Sequence, residues 1–323
     1  MAQSRSFLVP PGLLVSVRTG RAPRLFSHCL GDATNATAEP ALVLDLAPRN
    51  DPSASPRDVT LRGVYKVLPW TCRIAPRAEG SWAIAFRSPV FREYLALHIA
   101  LLPTLRRLLL DRAVGMAIGA AFELDGATTM VAGTTGRGKT SIVLGALERG
   151  ATLIGDEYIG LHDDGDVTPV IRSLALRRAT LALAPRAYER LGAQRRGALR
   201  VAEILTFVTR GFLQPLVHVP PQDILDRAPA PSGRLSRLFL IETGDAARRH
   251  EIDRAFALEQ LATMQALHDV AYGDLGALLG GAPYPERWRE IVARALEGVA
   301  CYRLVLPRGD VPAEALDLVL EAA

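Results

Sequence analysis

The sequence is poor in cysteine and lacks any long apolar run. It has three cysteines, which lie far apart and form no CxxC pair: Cys29, Cys72 and Cys301. Their spacing argues against a disulfide framework and a zinc site, and it fits a reducing cytoplasm. Pro10 and Pro11 break the apolar start, and charged residues interrupt the most apolar stretch, 91–110. We therefore expect a cytoplasmic protein with no export signal and no membrane span.

Lysine is also rare, and nearly all basic residues of the chain are arginine. Only Lys66 and Lys139 occur among 38 lysines and arginines, and the net charge is +4. The basic residues are scattered along the chain, so binding of nucleic acid is not indicated. A lysine is a compact point charge on a flexible stem, which arginine does not replace where the geometry is tight. The survival of Lys139 inside a glycine-rich segment therefore indicates that its ammonium group is needed there.

The chain is long enough for one large domain or two ordinary ones. It has 323 residues, of which 49% are hydrophobic and 22% charged, as is typical of a globular protein. Short apolar runs are followed by a turn-rich segment at 48–58, the predicted linker or mobile loop. Strand-like runs follow at 64–68 and 82–86. These patterns predict a strand-rich N-terminal region over 1–90.

Residues 91–323 alternate between helical and strand-like patterns, which predicts an α/β domain. The stretch 91–110 is predicted as a helix that is kinked or ended at Pro103. Asp125-Gly126 suits the type I′ turn of a hairpin. The apolar spacing over 140–149 predicts a helix, and Gly150 is placed to cap its C-terminus.

Residues Gly133–Thr140 match GxxxxGK[ST] in full. Glycines let successive amide groups converge on phosphates, and the positive end of the following helix faces the anion. Lys139 would reach the β- and γ-phosphate oxygens, and the Thr140 hydroxyl would ligate Mg²⁺. The motif therefore predicts binding of ATP with Mg²⁺. The predicted cofactor-binding residues are Gly133, Thr134, Thr135, Gly136, Arg137, Gly138, Lys139, Thr140 and Ser141.

Two carboxylates, Asp156 and Glu157, end the next predicted strand, 151–155. If that strand lies parallel to and beside the strand that precedes the glycine loop, its C-terminal end reaches the phosphate site. One carboxylate could then hold Mg²⁺ through water while the other accepts a proton from an attacking hydroxyl. The alternative is a solvated acidic pair that merely ends a strand.

The segments G-T-T-G-R-G-K-T and L-I-G-D-E together resemble the HPr kinase/phosphorylase group, whose fold is related to that of phosphoenolpyruvate carboxykinase. A weaker similarity extends from about Ala120 to the C-terminus. The resemblance implies an α/β fold with a P-loop core of HPr kinase/carboxykinase type, with a mixed sheet and flanking helices. This core would form an HPr kinase-like catalytic domain over 91–323, preceded by the smaller strand-rich region.

The resemblance also implies roles for individual residues. Lys139 would bind the β/γ phosphates and Thr140 the Mg²⁺, while Asp156 would be the catalytic base and Glu157 would lie near the metal. A basic residue beyond the acidic pair, Arg172 or Arg177, would contact phosphate or substrate. Two departures separate the chain from true HPr kinases: no histidine precedes the loop in the hairpin strand, and the acidic pair is Asp-Glu rather than Asp-Asp.

The leading hypothesis is therefore a kinase that transfers the γ-phosphate of ATP to a hydroxyl. The acceptor would be a serine of a protein or peptide, such as a ribosomal-peptide precursor, or an alcohol on a small molecule. The alternative is a nucleotide-binding regulatory protein without turnover, which the missing histidine would suit. A carboxykinase-type decarboxylase is disfavoured because the chain has almost no lysine to offer as a metal ligand. Both a monomer and a homo-oligomer stay open.

Overall fold

A computed structural model describes residues 3–10, 12–19, 24–32, 39–46, 58–65, 68–77, 81–272, 284–309 and 311–321. The predicted linker at 48–58 lies outside these residues except for Asp58, and Lys66 lies outside them too. The chain divides into two units, one formed by 1–112 with 269–284 and the other by 113–268 with 285–323. None of the described helices is long and apolar enough to cross a membrane.

The first unit is built on a mixed seven-stranded sheet. Its strands are β1 (Gln3–Val9), β2 (Leu13–Thr19), β3 (Gly31–Asp32), β4 (Leu42–Asp45), β5 (Val59–Tyr65), β6 (Leu68–Pro76) and β7 (Trp82–Arg87). The order across the sheet is β3-β1-β2-β4-β7-β6-β5. The run predicted as one strand at 64–68 instead spans the end of β5 and the start of β6, which pair antiparallel.

The helical stretch that follows belongs to this first unit, whereas the predicted boundary lay before it, after residue 90. Its helices are α2 (Arg92–Leu95), a π-helical segment (Ala96–Leu101) and α3 (Leu102–Leu110), and α1 is the short helix Arg24–Cys29. The Leu25 amide donates to Glu93 Oε2 at 2.8 Å, and Arg92 Nη1 donates to the carbonyl of Leu46 at 2.6 Å. These hydrogen bonds attach the helical stretch to elements of the first unit.

Pro103 neither ends this helical stretch nor leaves it regular. The segment just before the proline is π-helical, and the Leu102 amide donates to the Leu97 carbonyl, five residues back. Such a wide turn makes room for the proline ring, which would clash with the carbonyl four residues earlier in a regular α-helix.

The second unit has ten strands and six helices among the described residues. The strands are β8 (Val114–Leu124), β9 (Ala127–Ala132), β10 (Thr152–Gly155), β11 (Tyr158–His162), β12 (Asp166–Pro169), β13 (Leu174–Leu176), β14 (Val217–Val219), β15 (Gly233–Gly244), β16 (Arg248–Glu251) and β17 (Ala300–Pro307). The helices are α4 (Lys139–Glu148), α5 (Pro185–Arg190), α6 (Ala193–Val208), α7 (Arg254–Tyr272), α8 (Tyr284–Ala295) and α9 (Ala313–Leu320). Parallel and antiparallel pairs occur together, so the α/β class with a mixed sheet is confirmed.

Local signals place the glycine loop as predicted. Asp125 and Gly126 have φ values of 51° and 78°, as a type I′ turn requires, and the turn joins β8 to β9. β9 runs directly into the loop, and α4 begins at Lys139. Gly150, with φ of 96°, ends α4 by donating its amide to Leu147. The predicted hairpin, helix and cap are therefore confirmed.

The predicted neighbour of the loop strand is wrong. β10 pairs antiparallel with β8, so β8 lies between β10 and β9. The parallel neighbour of β9 is β15, which in turn pairs parallel with β17. The reason is that α4 packs over β8 as well as over β9, and it carries the chain across β8 before β10 begins.

A single apolar core holds α4 on the sheet. Fully buried residues from the helix meet residues from three parallel strands and from α9, among them Ile142, Val131, Phe239, Leu304 and Leu316. Burial of large aliphatic and aromatic side chains contributes roughly 1.5–3 kcal/mol each. This packing fixes the start of α4, and therefore the loop before it, against the C-terminal ends of the strands.

Candidate functional site

The glycine loop is compact and packs closely against another segment of the same chain. Gly136 and Gly138 have φ values of 82° and 94°, which favour glycine. A Cβ at Gly138 would lie 2.3 Å from Val311 Cγ2, whereas one at Gly136 would meet nothing within 4 Å. The residues at the tip of the loop, Thr135–Arg137, are exposed, while Ser141 in the first turn of α4 is buried. The tip is therefore open to a ligand while the base is fixed.

These two glycines make a matched pair for a test. Gly136→Ala carries only the strain of a positive φ, which costs roughly 1–2 kcal/mol. Gly138→Ala carries the same strain and also a clash with Val311, so we expect a distinctly lower melting temperature and weaker ATP binding. Thermal unfolding and calorimetric titration of both variants measure the difference. Equal effects would show that the contact with Val311 is unimportant, and Val311→Ala should partly restore the Gly138→Ala protein.

Lys139 is buried at the base of the loop. Its Nζ donates to the carbonyl oxygens of Gly133 at 2.7 Å and Thr134 at 3.1 Å. Burial lowers the pKa of Lys139 to about 8, against the opposing effect of the negative charges of Asp156 and Glu157. The ammonium group is thus held in the curve of the loop, where the charge of Asp156 helps to keep it protonated.

Asp156 lies against the loop although its strand is not the neighbour of β9. The Thr140 hydroxyl donates to both carboxylate oxygens at 3.1 Å, and the Ala175 amide donates to Oδ2 at 3.2 Å. The side chain is 1% exposed. Burial raises the pKa of Asp156, and the Ala175 amide is the largest influence in the opposite direction. The structure therefore brings the first carboxylate to the hydroxyl that the sequence assigned to Mg²⁺.

Glu157 lies in a sharp turn between β10 and β11. Its φ is 72°, and the Tyr158 amide donates to the Asp156 carbonyl at 2.9 Å. Its Oε2 atom is buried and has no hydrogen-bond partner. Burial, and secondly the charge of Asp156, raise the pKa of Glu157 to about 8. Strained backbone and an unsatisfied buried oxygen are features that cluster at functional sites.

The oxygen atoms around Thr140 suit Mg²⁺. This ion prefers hard oxygen ligands and binds through one or two carboxylates together with substrate phosphates, rather than in an all-protein cage. Thr140, Asp156 and Glu157 offer such a set, and the unsatisfied Oε2 of Glu157 has the chemistry of a ligand or a proton acceptor. No cluster of three or more His, Cys, Asp or Glu side chains suited to a metal occurs in the described ranges, so phosphate oxygens would have to complete the shell.

The two predicted arginines lie on the segment that borders the site. Arg172 is exposed between β12 and β13. Arg177 is half-buried, and its amide donates to Thr180 Oγ1 at 3.1 Å at the start of the 3₁₀ turn Arg178–Leu181. The segment reaches Asp156 through the amide of Ala175, which lies between the two arginines. Contact of either guanidinium with phosphate or substrate stays a prediction.

Sequence reasoning missed one contributor to this site, the Ala175 amide, which no side-chain pattern could indicate. It also overlooked an acidic residue at the same end of the sheet, Glu242 near the end of β15, the parallel neighbour of β9. Leu240 pairs with Ala132, so Glu242, two residues further along, lies at the level of the loop. Its carboxylate lies 3.8 Å from Arg303 on β17. The sequence signal for Glu242 was the segment R-L-F-L-I-E, a predicted buried strand that ends in an acidic residue.

The raised pKa of Glu157 predicts that the free energy of unfolding of the unliganded protein depends on pH. Between its ordinary value of 4.5 and about 8, the folded protein holds a proton that the unfolded chain has released. The free energy of unfolding of the wild type therefore falls as the pH rises through this window. Glu157→Gln removes this titration, so we expect the variant to be more stable than the wild type at pH 8, by on the order of 4 kcal/mol, and equal to it near pH 4.

Urea unfolding at several pH values measures this difference. Glu297→Gln, at an exposed position on the turn after α8, is the matched control and should show no such pH-dependent gain. A constant difference between Glu157→Gln and the wild type across the pH range would contradict the buried, protonated carboxyl.

Comparison with known proteins adds little to this geometry. No family model matches the chain, and no curated protein matches it. Among solved structures, the chain is similar to the Hpr(Ser) kinase/phosphatase from Coxiella burnetii, with a TM-score of 0.31 and 10% sequence identity. The similarity covers 64% of this chain and 95% of that one. Agreement at this level carries no argument about function.

Proposed function

We propose that the protein is an ATP- and Mg²⁺-dependent kinase that transfers the γ-phosphate to a hydroxyl of a protein, peptide or small molecule. The observation that carries the proposal is the contact of the Thr140 hydroxyl with both oxygens of Asp156. It joins the acidic pair to the only described lysine, Lys139, in one site at the N-terminus of α4. Phosphoryl transfer needs this combination of a cation for the phosphates, oxygen ligands for Mg²⁺ and a carboxylate base.

The geometry supports the reverse of the roles predicted for the two carboxylates. Asp156 shares its oxygens with Thr140, so it lies on the side of the metal ligand and would hold Mg²⁺ together with that hydroxyl. When bound, Mg²⁺ would neutralise charge on the β- and γ-phosphate oxygens. Asp156 also has a structural role. It accepts a hydrogen bond from the Ala175 amide, which holds β13 against the site.

Glu157 is the better candidate for the base. A general base works best when its pKa is near the operating pH, and burial raises the pKa of Glu157 to about 8. Its Oε2 atom makes no other hydrogen bond, so it could accept the proton of an acceptor hydroxyl. Lys139 would bind the phosphate oxygens, exchanging its bonds to the loop carbonyls for them.

The transfer of labelled phosphate tests the proposal. The full chain is incubated with Mg²⁺ and γ-labelled ATP, and with proteins and peptides encoded by neighbouring genes as acceptors. Label on an acceptor hydroxyl supports the kinase. Tight ATP binding with neither transfer nor hydrolysis would favour the non-catalytic regulator instead, and the absence of ATP binding would overturn both functions.

A further inference from the structure

Helix α6 and the turn after it present an uncovered apolar surface. Of the thirteen large apolar side chains that are exposed in the described part of the chain, seven lie between Val201 and Leu213. Leu199 and Ala202 bury the opposite side of the helix. The most exposed members are Phe207 at 84%, Val208 at 69% and Ile204 at 60%. Such a cluster marks an interaction site more often than single exposed residues do.

The turn that ends this surface is a formed structure. The Gly211 amide donates to the Thr206 carbonyl at 2.8 Å. The Leu213 amide donates to Thr209 Oγ1 at 3.0 Å, and that hydroxyl donates to the Leu205 carbonyl. These bonds fix the backbone on both sides of Phe212, so the exposed side chains belong to a defined shape.

Charge divides the exposed face of α6 into two halves. Arg196, Arg200 and Ile204 follow one another at four-residue spacing, so they lie along one stripe of the helix. Neither arginine has an ion-pair partner within the described ranges, whereas Glu203, the only acid of α6, is paired with Arg178 at 3.1 Å. The N-terminal half of the face is therefore basic and the C-terminal half apolar. We name this face, with Val201, Phe207 and Val208, the α6 surface.

The α6 surface is connected to the candidate site. Arg195 Nη1 donates to the His218 carbonyl at 3.3 Å. His218 pairs with Ala175 across β14 and β13, and the Ala175 amide donates to Asp156. Only two strands therefore separate the helix from the acidic pair. The inward side of α6, which carries Arg195, is thus connected through β14 and β13 to the segment that contacts Asp156.

We propose that the α6 surface docks the polypeptide that accepts the phosphate, which rests on the kinase function proposed above. The docking segment would be amphipathic, with carboxylates facing Arg196 and Arg200 and apolar side chains facing Ile204, Phe207 and Val208. Helix-in-groove and helix-on-helix recognition use this kind of pattern. A small-molecule alcohol would need no such surface, so the inference also selects a protein or peptide acceptor.

Two other occupants fit less well. A helix that lies on a bilayer has its basic residues on the face opposite its apolar one, whereas here basic and apolar residues share one face. A second copy of the chain would have to offer carboxylates to Arg196 and Arg200. The α6 surface has none to spare, because Glu203 is already paired with Arg178.

Fluorescence anisotropy with a designed probe tests the surface. The probe is a labelled helical peptide with three glutamates in its first two turns and leucine and phenylalanine on the same face of the next two. The full chain should bind it. The double variants Arg196→Glu/Arg200→Glu and Phe207→Ser/Val208→Ser should each weaken binding by about tenfold or more. Leu267→Ser, at a position 61% exposed on α7, is the matched control and should bind like the wild type.

Other outcomes would overturn the proposal. Equal binding of a peptide with lysines in place of the glutamates would remove the charge argument. Loss of dimers in ultracentrifugation on Phe207→Ser/Val208→Ser would assign the surface to a second copy. Loss of sedimentation with phosphatidylserine/phosphatidylcholine vesicles in that variant would assign it to lipid. ATP titration of the wild type separates the two proposals. Peptide binding without ATP binding overturns the kinase and leaves the α6 surface as a docking site for a polypeptide that is not a phosphate acceptor, whereas ATP binding without peptide binding overturns the docking surface alone.

Discussion

Replacing Lys139 by alanine is expected to abolish ATP binding, with a loss of affinity of about 10²-fold or more. The reason is that its ammonium group is buried at the base of the loop, and no other lysine is present in the described ranges. Loss of one member of a buried, hydrogen-bonded charge pair has effects of this size. Calorimetric titration with ATP and Mg²⁺ measures the affinity. Unchanged affinity would refute the assignment of the loop.

Two further lysine variants make this result specific. Lys66→Ala removes the only other lysine of the chain and should leave ATP affinity unchanged. Lys139→Arg keeps a positive charge but should fail nearly as badly, because a planar fork cannot donate to the Gly133 and Thr134 carbonyls in the same small space. Wild-type turnover of Lys139→Arg would show that charge alone matters and that the scarcity of lysine was misleading.

The same site predicts a pH dependence of ATP binding. Burial lowers the pKa of Lys139 to about 8 in the unliganded protein, so the ammonium loses its proton as the pH rises through that value. Phosphate binding favours the charged form, and ATP affinity of the wild type should therefore fall above pH 8. Glu157 also loses its proton near pH 8, so the decline should be smaller in Lys139→Ala, which keeps only the titration of Glu157.

The parts of the fold that the sequence predicts correctly are those determined by local chemistry. The Asp125-Gly126 turn requires positive φ at two successive residues, and Gly150 requires it at one. The glycine loop and the start of α4 follow from a motif of eight consecutive residues, Gly133–Thr140. In each case, the information lies within a few positions, so a single sequence is enough.

The order of the strands could not be obtained in the same way. β10 is a short apolar strand that would suit several positions in a buried sheet, and its pairing with β8 depends on how α4 packs. The conformation of Glu157 is a second example. One φ value of 72° turns the chain and decides where both carboxylates point, yet glutamate is not a residue that indicates such a turn. Both features depend on tertiary contacts that local patterns do not contain.

Variants of the two carboxylates distinguish the roles that the geometry supports from the roles that the sequence predicted. Because Asp156 shares its oxygens with the Thr140 hydroxyl, Asp156→Asn should mainly raise the Mg²⁺ concentration needed for half-maximal turnover. The neutral amide can still bond Thr140, so the protein should fold, and excess Mg²⁺ should restore much of the activity. Turnover as a function of Mg²⁺ concentration, at saturating ATP, measures this effect.

Glu157→Gln should behave in the opposite way. Its Oε2 atom has no other partner, and an amide cannot accept the proton of a hydroxyl, so turnover at saturating Mg²⁺ should fall by about 10²–10⁴. Nucleotide affinity should stay within a few-fold of the wild type, because the lysine and the loop amides are unchanged. If Asp156→Asn instead stays inactive at every Mg²⁺ concentration while excess Mg²⁺ rescues Glu157→Gln, then Asp156 is the base and Glu157 is the metal ligand, as the sequence predicted.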